Sequence, residues 1–248
     1  VEDKAGSCGY NVILCNTDDN AGKEATYIDV LLEYNVAGVI ITGMTNPESS
    51  QIQEIVQRKI PLVSIDRYIS PEIISVFLDS FRGTYLSTEY LIQKGHGKIA
   101  FIGGDASLKL PNQRLNGYLQ ALRDYKLQEK AGLIRLGTYR MEHGYRSTLS
   151  LLDSGADFTS IVCGNDLIAF GAIKAIREKG LGVPDDISVV GFDDIYLSSM
   201  FEPALTTIRQ PIYDIGSYAV DVMIRLVKKE KVNEKIKYFG PEIVERNS

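Results

Sequence analysis

The sequence predicts an α/β protein whose parallel sheets form two similar lobes. Short runs rich in Val, Ile, Leu and Phe alternate with amphipathic helical patterns along nearly the whole chain. Most of these runs are continuously apolar, which is typical of parallel strands covered by helices on both faces. The pattern contains about ten strand–helix units, more than the five or six strands of one ordinary sheet, so two lobes are favoured over one.

The strand predictions rest on short β-branched runs bounded by Gly, Pro, Asn or Asp. The predicted strands are residues 10–14, 37–42, 61–65, 74–78, 98–102, 160–163, 187–192 and 205–208. Between them, apolar residues recur at helical spacing, as in the stripe at positions 27, 28, 31 and 32. The predicted helices are residues 24–34, 85–92, 112–125, 141–152, 167–179 and 211–227.

Residues at the predicted helix ends support these assignments. Gly95 and Gly180 suit helix C-termini, and Pro211 suits the first turn of a helix. Either Asn165 or Asp166 would cap the helix that follows. The connections are short, so no flexible linker divides the chain.

Composition and charge exclude several classes of protein. With 248 residues, 44% of them hydrophobic, the chain is too apolar for a disordered protein. The net charge of −5 predicts poor binding of nucleic acid by this polypeptide itself. Cys8, Cys15 and Cys163 lack the spacing of a zinc site or a disulfide framework, which favours the cytoplasm and predicts no metal. No apolar run approaches the ~18 residues that cross a bilayer, so no membrane association is expected.

The sequence also lacks the motifs of common α/β enzymes. Neither a dinucleotide-binding GxGxxG nor a phosphate-binding GxxxxGK[ST] occurs, and GxSxG and HExxH are absent. The two histidines, His96 and His143, stand at predicted turns or helix starts. We therefore predict no catalytic activity and no cofactor.

Polar residues follow four of the apolar strands. They are Asp66 and Arg67, Asn165 and Asp166, Asp193 and Asp194, and Gln210. In open α/β sheets, ligands bind at the carboxyl ends of the strands. Any one of these residues alone could be a helix cap or a turn residue, but their recurrence at four strand ends favours a ligand site.

One long segment carries a family resemblance. The segment "GNDLIAFGAIKAIREKGLGVPDDISVVGFDDIYLSSMFEPALTTIRQPIYDIG" resembles the effector domain of the lactose-repressor and galactose-repressor family of bacterial transcription regulators. Further pieces agree in order and spacing, namely "GYNVILCN", "VAGVIITG", "PLVSIDR", "VFLDSFRGTYLSTEYLIQKGHGKIAFIGG", "QRLNGYLQAL" and "EIVERNS". The similarity therefore covers nearly the whole chain.

The resemblance implies a hinged sugar-receptor fold of the periplasmic-binding-protein-like type I class. In that fold, two doubly wound parallel-sheet lobes are joined by a three-segment hinge, and the ligand lies in the cleft. The crossings are expected near Gly104, near Thr206 and within residues 231–237. They predict an N-terminal lobe of residues 1–104 and 207–231 and a C-terminal lobe of residues 105–206 and 232–248.

The resemblance also implies a set of ligand-binding residues. By position these are Asp66, Arg67, Arg114, Tyr139, Asn165, Asp193 and Gln210. Carboxylate, amide and guanidinium groups suit sugar hydroxyls, because each can bind two hydroxyls at once. Arg114 could instead be a surface helix residue, and Tyr139 an ordinary packing residue. Asp79, which also matches the family, is interpreted as the cap of the helix that contains Arg82.

The function that the resemblance implies is that of an effector-sensing and dimerising core of a cytoplasmic transcription regulator. Its expected partners are a sugar-like effector and a second copy of the chain. Operator DNA would be bound only through a helix-turn-helix, which this sequence does not contain. The family's first strand and the loop after it, which adds ligand contacts, are also expected to precede Val1. The sequence does not identify the effector among sugars, sugar phosphates, purines and phosphoproteins.

Two other functions stay open at this point. An extracytoplasmic sugar-binding receptor of an uptake transporter would share the fold and the cleft. The segments "IDR", "GFDD" and "LTTIRQP" resemble the regulators and favour that function over a transport receptor. An α/β enzyme is a weaker alternative, because no phosphate-binding loop is found.

Overall fold

The computed structural model describes residues 1–18, 20–43 and 49–248. Its helices are α1 (Glu2–Ser7), α2 (Ala21–Glu33), α3 (Ser50–Gln57), α4 (Ser80–Gln93), α5 (Lys109–Asp124), α6 (Met141–Asp153), α7 (Asp166–Glu178) and α8 (Ile212–Val227). Its strands are β1 (Val39–Thr42), β2 (Leu62–Ile65), β3 (Ile74–Leu78), β4 (Ile99–Gly104), β5 (Ile134–Gly137), β6 (Ser160–Cys163), β7 (Ser188–Asp193), β8 (Thr206–Arg209), β9 (Ile236–Phe239) and β10 (Glu242–Val244). Short 3-10 helices span Ala131–Leu133 and Tyr196–Ser199.

The described strands form two sheets. The order in one is β1-β2-β3-β9, with every pair parallel. The order in the other is β10-β8-β7-β6-β4-β5, and only β10 runs antiparallel to its neighbour. The predicted α/β class with parallel sheets is thus confirmed.

The chain divides into two compact units. Unit 1 contains Val1–Leu78 and Pro211–Phe239, and unit 2 contains Asp79–Gln210 and Gly240–Ser248. These bounds correct the predicted lobes 1–104 with 207–231 and 105–206 with 232–248. Residues 79–104 belong to unit 2, because α4 packs on α5 and β4 lies between β5 and β6. Residues 232–239 belong to unit 1, because β9 pairs with β3.

Unit 2 is a doubly wound sheet with helices on both faces. Along β4, Ala100 and Ile102 pack with residues of α6 and α7, whereas Ile99 and Phe101 pack with residues of α4 and α5. This alternation follows from the two-residue period of a strand. Both faces are therefore buried, which explains why the strands lack alternating polar residues.

Unit 1 has a smaller core on its four-stranded sheet. Ile28 and Leu32 of α2 pack with Ile52 and Ile55 of α3 against residues of β1 and β2. Helix α8 contacts β1, β2 and β3 and buries an apolar stripe of its own. At Gly38, a Cβ atom would overlap the Met223 sulfur of α8, so the strand and the helix approach closely there.

All six predicted helices are present, and their caps follow the sequence signals. The Asp79 carboxylate accepts a hydrogen bond from Arg82 N at 2.9 Å, so Asp79 is the predicted cap of α4. The side chain of Asn165 caps α7 by accepting from Ile168 N at 2.9 Å. Gly95 and Gly180 have positive φ just after α4 and α7, as a helix C-terminus favours.

One predicted strand is wrong, and several elements were not predicted. Residues 10–14 form no strand and leave Leu14 89% exposed, because no described strand pairs with this apolar run. Strands β5, β9 and β10 were missed because they lie at sheet edges, where half-exposed positions admit Arg, Lys and Glu. The short helix α3 was also missed.

Three glycines let pairs of helices approach closely in unit 2. A Cβ atom on Gly117 of α5 would overlap the Phe81 carbonyl oxygen of α4. Likewise, a Cβ atom on Gly144 of α6 would overlap the Ile168 carbonyl of α7, and one on Gly171 would overlap the Met141 carbonyl. Because backbone atoms cannot move aside as side chains do, these positions fix the spacing of the helices.

The C-terminal tail of unit 2 is held by polar contacts. Asp194 accepts hydrogen bonds from Arg209 Nε at 2.7 Å and from Arg246 Nη2 at 2.6 Å. The Ser248 hydroxyl donates to the Val189 carbonyl at 2.6 Å. Burial alone would raise the pKa of Asp194, but the hydrogen bonds and charges of the two arginines outweigh it and leave that pKa below its ordinary value.

We predict that Gly117→Ala lowers the free energy of unfolding by about 1 to 3 kcal/mol, because the added methyl group forces α4 and α5 apart. Urea unfolding followed by circular dichroism measures the effect. Gly132→Ala is the matched control, since no atom lies within 4 Å of the added Cβ. Equal stability of the two variants would contradict the close crossing.

We predict that Asp194→Asn costs about 1.5 to 3 kcal/mol at pH 7, because both arginines lose a charged acceptor. The folded pKa of Asp194 lies below its ordinary value of 3.8. Its stabilising contribution is therefore complete at neutral pH and is lost as the pH falls through the folded pKa. Urea unfolding of both proteins at pH 7 and at lower pH should show the difference shrinking below about pH 4. A difference that stays constant down to pH 3 would argue against the ion pairs.

Candidate functional site

Three strands of unit 2 end together at one edge of the sheet. Strands β6, β7 and β8 are parallel neighbours, so their carboxyl ends share that edge. Asn165 follows β6, Asp193 ends β7, and Gln210 follows β8. Helix α5 adds Arg114, and the segment after β5 adds Tyr139. We call these five residues the unit 2 rim.

Arg114 lies at the centre of the unit 2 rim. Its guanidinium donates to the Gly164 carbonyl through Nη1 and to Asp193 Oδ1 through Nη2, the latter at 3.5 Å. The guanidinium carbon lies 3.8 Å from the Phe192 ring centroid and 5.5 Å from the Tyr139 ring centroid. Arg114 is only 9% exposed, so it is held in place by stacking and charge, unlike a surface helix arginine.

Asp193 joins Arg114 to Gln210. Its Oδ1 atom accepts from Gln210 Nε2 at 2.5 Å as well as from Arg114. Its backbone has φ of +116°, a strained value for a residue with a Cβ atom. The side chain stays 28% exposed, so its carboxylate can be reached from solvent.

Tyr139 packs its ring against two strand ends. A Cβ atom on Gly104 would come within 2.6 Å of this ring, and one on Gly164 within 3.1 Å. The Tyr139 hydroxyl is buried, and no partner in the described part of the chain meets it at standard hydrogen-bond geometry. Burial raises the pKa of Tyr139, and the nearby charge of Arg114 opposes that rise. The residue thus packs within unit 2, which is the alternative that the sequence left open, and its predicted ligand contact stays a prediction.

Asn165 uses its amide within unit 2. Its Oδ1 atom caps α7, and its Nδ2 atom donates to the Tyr139 carbonyl at 3.3 Å. The structure therefore gives it the helix-capping role that its position allowed. Its predicted ligand contact stays a prediction.

Asp66 and Arg67 lie in unit 1, at the end of β2. The Asp66 carboxylate accepts from Leu78 N at 3.0 Å, and its φ is +54°. The Arg67 guanidinium forms a buried two-point ion pair with Glu24 of α2, at 2.8 Å and 3.3 Å. The sequence did not indicate Glu24 as the partner. The predicted ligand-binding role of Asp66 and Arg67 stays a prediction.

The sequence placed Asp166 among the polar residues that follow strands, but it did not reveal the partners of its carboxylate. Its carboxylate is completely buried beside the unit 2 rim and accepts from Thr207 Oγ1, Ser198 Oγ and Ile195 N. Burial raises the pKa of Asp166 to about 6, although the three hydrogen bonds oppose that rise. The signal for these partners was the pair of threonines in the buried part of strand β8, since a buried hydroxyl needs a partner.

The unit 2 rim presents hydrogen-bonding groups of mixed charge. A carboxylate, an amide, a guanidinium and a phenol meet beside aromatic rings, which suits a neutral molecule rich in hydroxyl groups. Among the described residues, no group of three or more His, Cys, Asp and Glu is arranged to hold a metal ion. None of the described helices combines the length and apolar character needed to span a bilayer.

Comparison with known proteins identifies the family. Residues 1–238 match the family described as periplasmic binding proteins and sugar binding domain of LacI family. The transcriptional regulator RegA of Clostridium saccharobutylicum, which is of the helix-turn-helix type, is 36% identical over 250 residues, covering 100% of this chain and 75% of the relative.

Solved structures agree with that assignment. The transcription regulator CcpA of Lactococcus lactis superposes with a TM-score of 0.89 at 30% identity, covering 99% of this chain and 90% of that one. The lac repressor dimer, bound to operator and an anti-inducer, gives a TM-score of 0.84 at 29% identity, covering 100% of this chain and 86% of that one. The chain therefore belongs to the LacI family and is the effector-sensing core of a transcription regulator, not the receptor of an uptake transporter.

Proposed function

We propose that the chain binds a sugar or sugar derivative through the unit 2 rim, and that this binding changes the operator affinity of the intact regulator. The observation that carries the proposal is the network in which Arg114 and Gln210 both donate to Asp193 Oδ1 at one edge of the sheet. Family membership supports the same reading, because the matching family includes sugar binding domains.

The chemistry of the rim fits sugar hydroxyls. A hydroxyl both donates and accepts, so Asp193 can accept from one hydroxyl while Arg114 donates to its neighbour. The ring of Tyr139 offers an apolar surface to the C–H face of a pyranose or furanose. Asn165, Asp66 and Arg67 remain predicted contacts. A sugar phosphate is less favoured, because the charge of Arg114 is already offset by Asp193.

Sensing follows from linkage between two binding events. A ligand shifts a conformational equilibrium only by its difference in affinity for the two states. Coupling free energies of about 1 to 3 kcal/mol change the affinity for a second ligand roughly 5- to 150-fold. We propose that operator DNA is this second ligand, bound through a helix-turn-helix outside this sequence. We also propose that the protein works in the cytoplasm as a sensor, without catalysis, metal or cofactor.

We propose that the chain forms a homodimer through an apolar surface of unit 2. We call it the α7 face, and it consists of the exposed Met141, Leu197 and Met200 and the partly buried Phe201, with the buried Phe170 and Ile173 beneath them. Several of these line a surface pocket of about 430 Å³, rimmed by charged residues of α7. Leu197 is 52% and Met200 65% exposed, and a contiguous apolar patch of this kind marks an interaction site. The related lac repressor structure is a dimer, which points to a second copy as the occupant.

We predict that the matching monosaccharide, at ~100 times its dissociation constant, raises the free energy of unfolding by about 2.7 kcal/mol. A thermal-shift screen of D-ribose, D-xylose, D-glucose, D-galactose and the nucleobases identifies the ligand. Asp193→Ala should abolish the shift, because the rim loses the acceptor shared by Arg114 and Gln210.

Asp157→Ala is the matched control, since it removes an exposed carboxylate that pairs with Lys98 on the surface of unit 2. It should keep the whole shift. The proposed site is wrong if Asp193→Ala responds to the sugar as the wild type does. If only nucleobases stabilise the protein, nucleobases replace sugars as the proposed effector class.

We predict that the wild type has twice the chain mass of 27.5 kDa in solution and that Met200→Glu is monomeric. A buried charge at the centre of an apolar interface is costly unless it is paired. Light scattering after size exclusion measures the mass. Val56→Glu is the control, because Val56 is 45% exposed on α3 of unit 1. A dimeric Met200→Glu protein would place the interface elsewhere.

A further inference from the structure

A single buried carboxylate connects the elements that carry the unit 2 rim. Asp166 Oδ2 accepts from Ile195 N at 2.9 Å and from Ser198 Oγ at 2.7 Å. Asp166 Oδ1 accepts from Thr207 Oγ1 at 2.5 Å. The side chain has no exposure to solvent. Three donors from two segments, the turn after β7 and strand β8, therefore converge on one residue at the start of α7.

Each of these bonds fixes a segment next to a rim residue. Ile195 N lies two residues after Asp193 and so anchors the turn that gives Asp193 its positive φ. Thr207 lies in β8, three residues before Gln210. Asn165 directly precedes Asp166 in the chain. The carboxylate thus bonds to β8 and to the turn after β7, and its own residue directly follows Asn165, the rim residue after β6.

The backbone of β7 also makes room for this carboxylate. A Cβ atom on Gly191 would overlap Asp166 Oδ1, so glycine at this position lets the carboxylate lie directly against the strand. The Gly191 position is two residues before Asp193. The carboxylate therefore has contacts on both sides of Asp193, at Gly191 and at Ile195.

We infer that Asp166 is a positioning residue for effector binding, which sets the geometry of Asn165, Asp193 and Gln210 without touching the ligand. This inference rests on the proposed function, because it concerns the same rim. Preorganisation of this kind raises affinity, since a ligand then spends less free energy on ordering the site. A carboxylate suits the task because all three of its partners are donors, whereas an amide could satisfy only some of them.

The charge of Asp166 is part of its role. The titratable groups that interact electrostatically with Asp166 are Asp193 of β7 and Cys163 of β6. Asp194, which pairs with Arg209 and Arg246, directly precedes Ile195 in the chain. Burial, together with the charge of Asp193, raises the pKa of Asp166 to about 6, despite the opposing hydrogen bonds. A protonated Asp166 would carry a donor where it now only accepts. Effector affinity should therefore fall as the pH drops from 7 to 5.

The test compares dissociation constants by calorimetry, using the monosaccharide of the panel that stabilises the wild type most. Asp166→Asn should raise the dissociation constant at least tenfold at pH 7. Thr207→Val and Ser198→Ala, which each delete one donor, should raise it severalfold. Thr88→Val is the matched control, because it deletes a buried hydroxyl of α4 that donates to Thr84 O, away from the rim residues. The control should lose stability and keep its dissociation constant within twofold.

Two further measurements separate positioning from stability. The affinity of the wild type should fall severalfold between pH 7 and pH 5, whereas that of Asp166→Asn should stay flat. In the sugar-free protein, the side-chain amide resonances of Asn165 and Gln210 should shift in Asp166→Asn and remain in place in Thr88→Val. If Asp166→Asn does not fold, Thr207→Val and Ser198→Ala decide the question by the same readouts.

The outcomes keep the two proposals distinguishable. Wild-type affinity in Asp166→Asn and Thr207→Val would overturn the positioning role while leaving the sugar site intact. If the wild type binds no sugar, the proposed function fails, and the amide resonances still decide on positioning. Unshifted Asn165 and Gln210 resonances in Asp166→Asn would overturn it in that case.

Discussion

The parallel register of β6, β7 and β8 is the constraint on which the candidate site depends. Val162 lies opposite Val190, and Asp193 lies opposite Arg209, so the three strands finish at one edge of the unit 2 sheet. A shift of one strand by one residue would turn its side chains to the other face. The rim would then lose a member, and the two apolar layers would lose their pattern. The register is held by the alternating core residues that bury both faces of the sheet. The packing of the core therefore also determines the positions of the rim residues.

The burial of Arg114 fixes the direction of its hydrogen bonds and so makes the unit 2 rim selective for its ligand. Arg114 is buried, and a buried guanidinium is tolerated only where donors find acceptors and the charge is balanced. The Gly164 carbonyl accepts from Nη1, the Asp193 carboxylate accepts from Nη2 and balances the charge, and the rings of Phe192 and Tyr139 lie beside the planar group. A ligand entering this edge meets groups whose directions are already fixed. Polar groups fixed in this way favour a ligand with hydroxyls at matching positions, because a mismatched one would leave them unsatisfied.

The sequence predicted the fold class, six of the helices and three rim residues, Asn165, Asp193 and Gln210, because each depends on local pattern or on the end of a strand. The other two rim residues, Arg114 and Tyr139, came from the family resemblance. It did not predict the partners that fix these residues. Arg67 pairs with Glu24 across 43 residues, and Asp166 accepts from donors 29, 32 and 41 residues away. Such pairs cannot be predicted from the spacing of residues in the sequence, because the partners meet only when the fold has formed. The edge strands β5, β9 and β10 were not predicted, because a half-exposed strand has too few apolar residues to be recognised from its sequence. The predicted lobe bounds were wrong because helix α4, which directly follows β3 of unit 1, packs on α5 of unit 2.

Two neighbouring carboxylates in one turn have different partners, and this bears on how a bound effector could act. Asp193 bonds to Arg114 and Gln210 at the rim, whereas Asp194 bonds to Arg209 and to Arg246 of the tail. Gln210 is the last residue before the chain leaves unit 2, and the tail begins where the chain returns at Gly240. A ligand hydroxyl that donates to Asp193 thus competes with Gln210 for the same acceptor. Its contact also acts on the turn whose next residue, Asp194, binds Arg246 of the tail. Coupling requires a physical element with two arrangements that the ligand biases. The turn at Asp193 and Asp194 supplies the physical element, because it joins the rim to the segments at two of the three points where the chain crosses the boundary of unit 2.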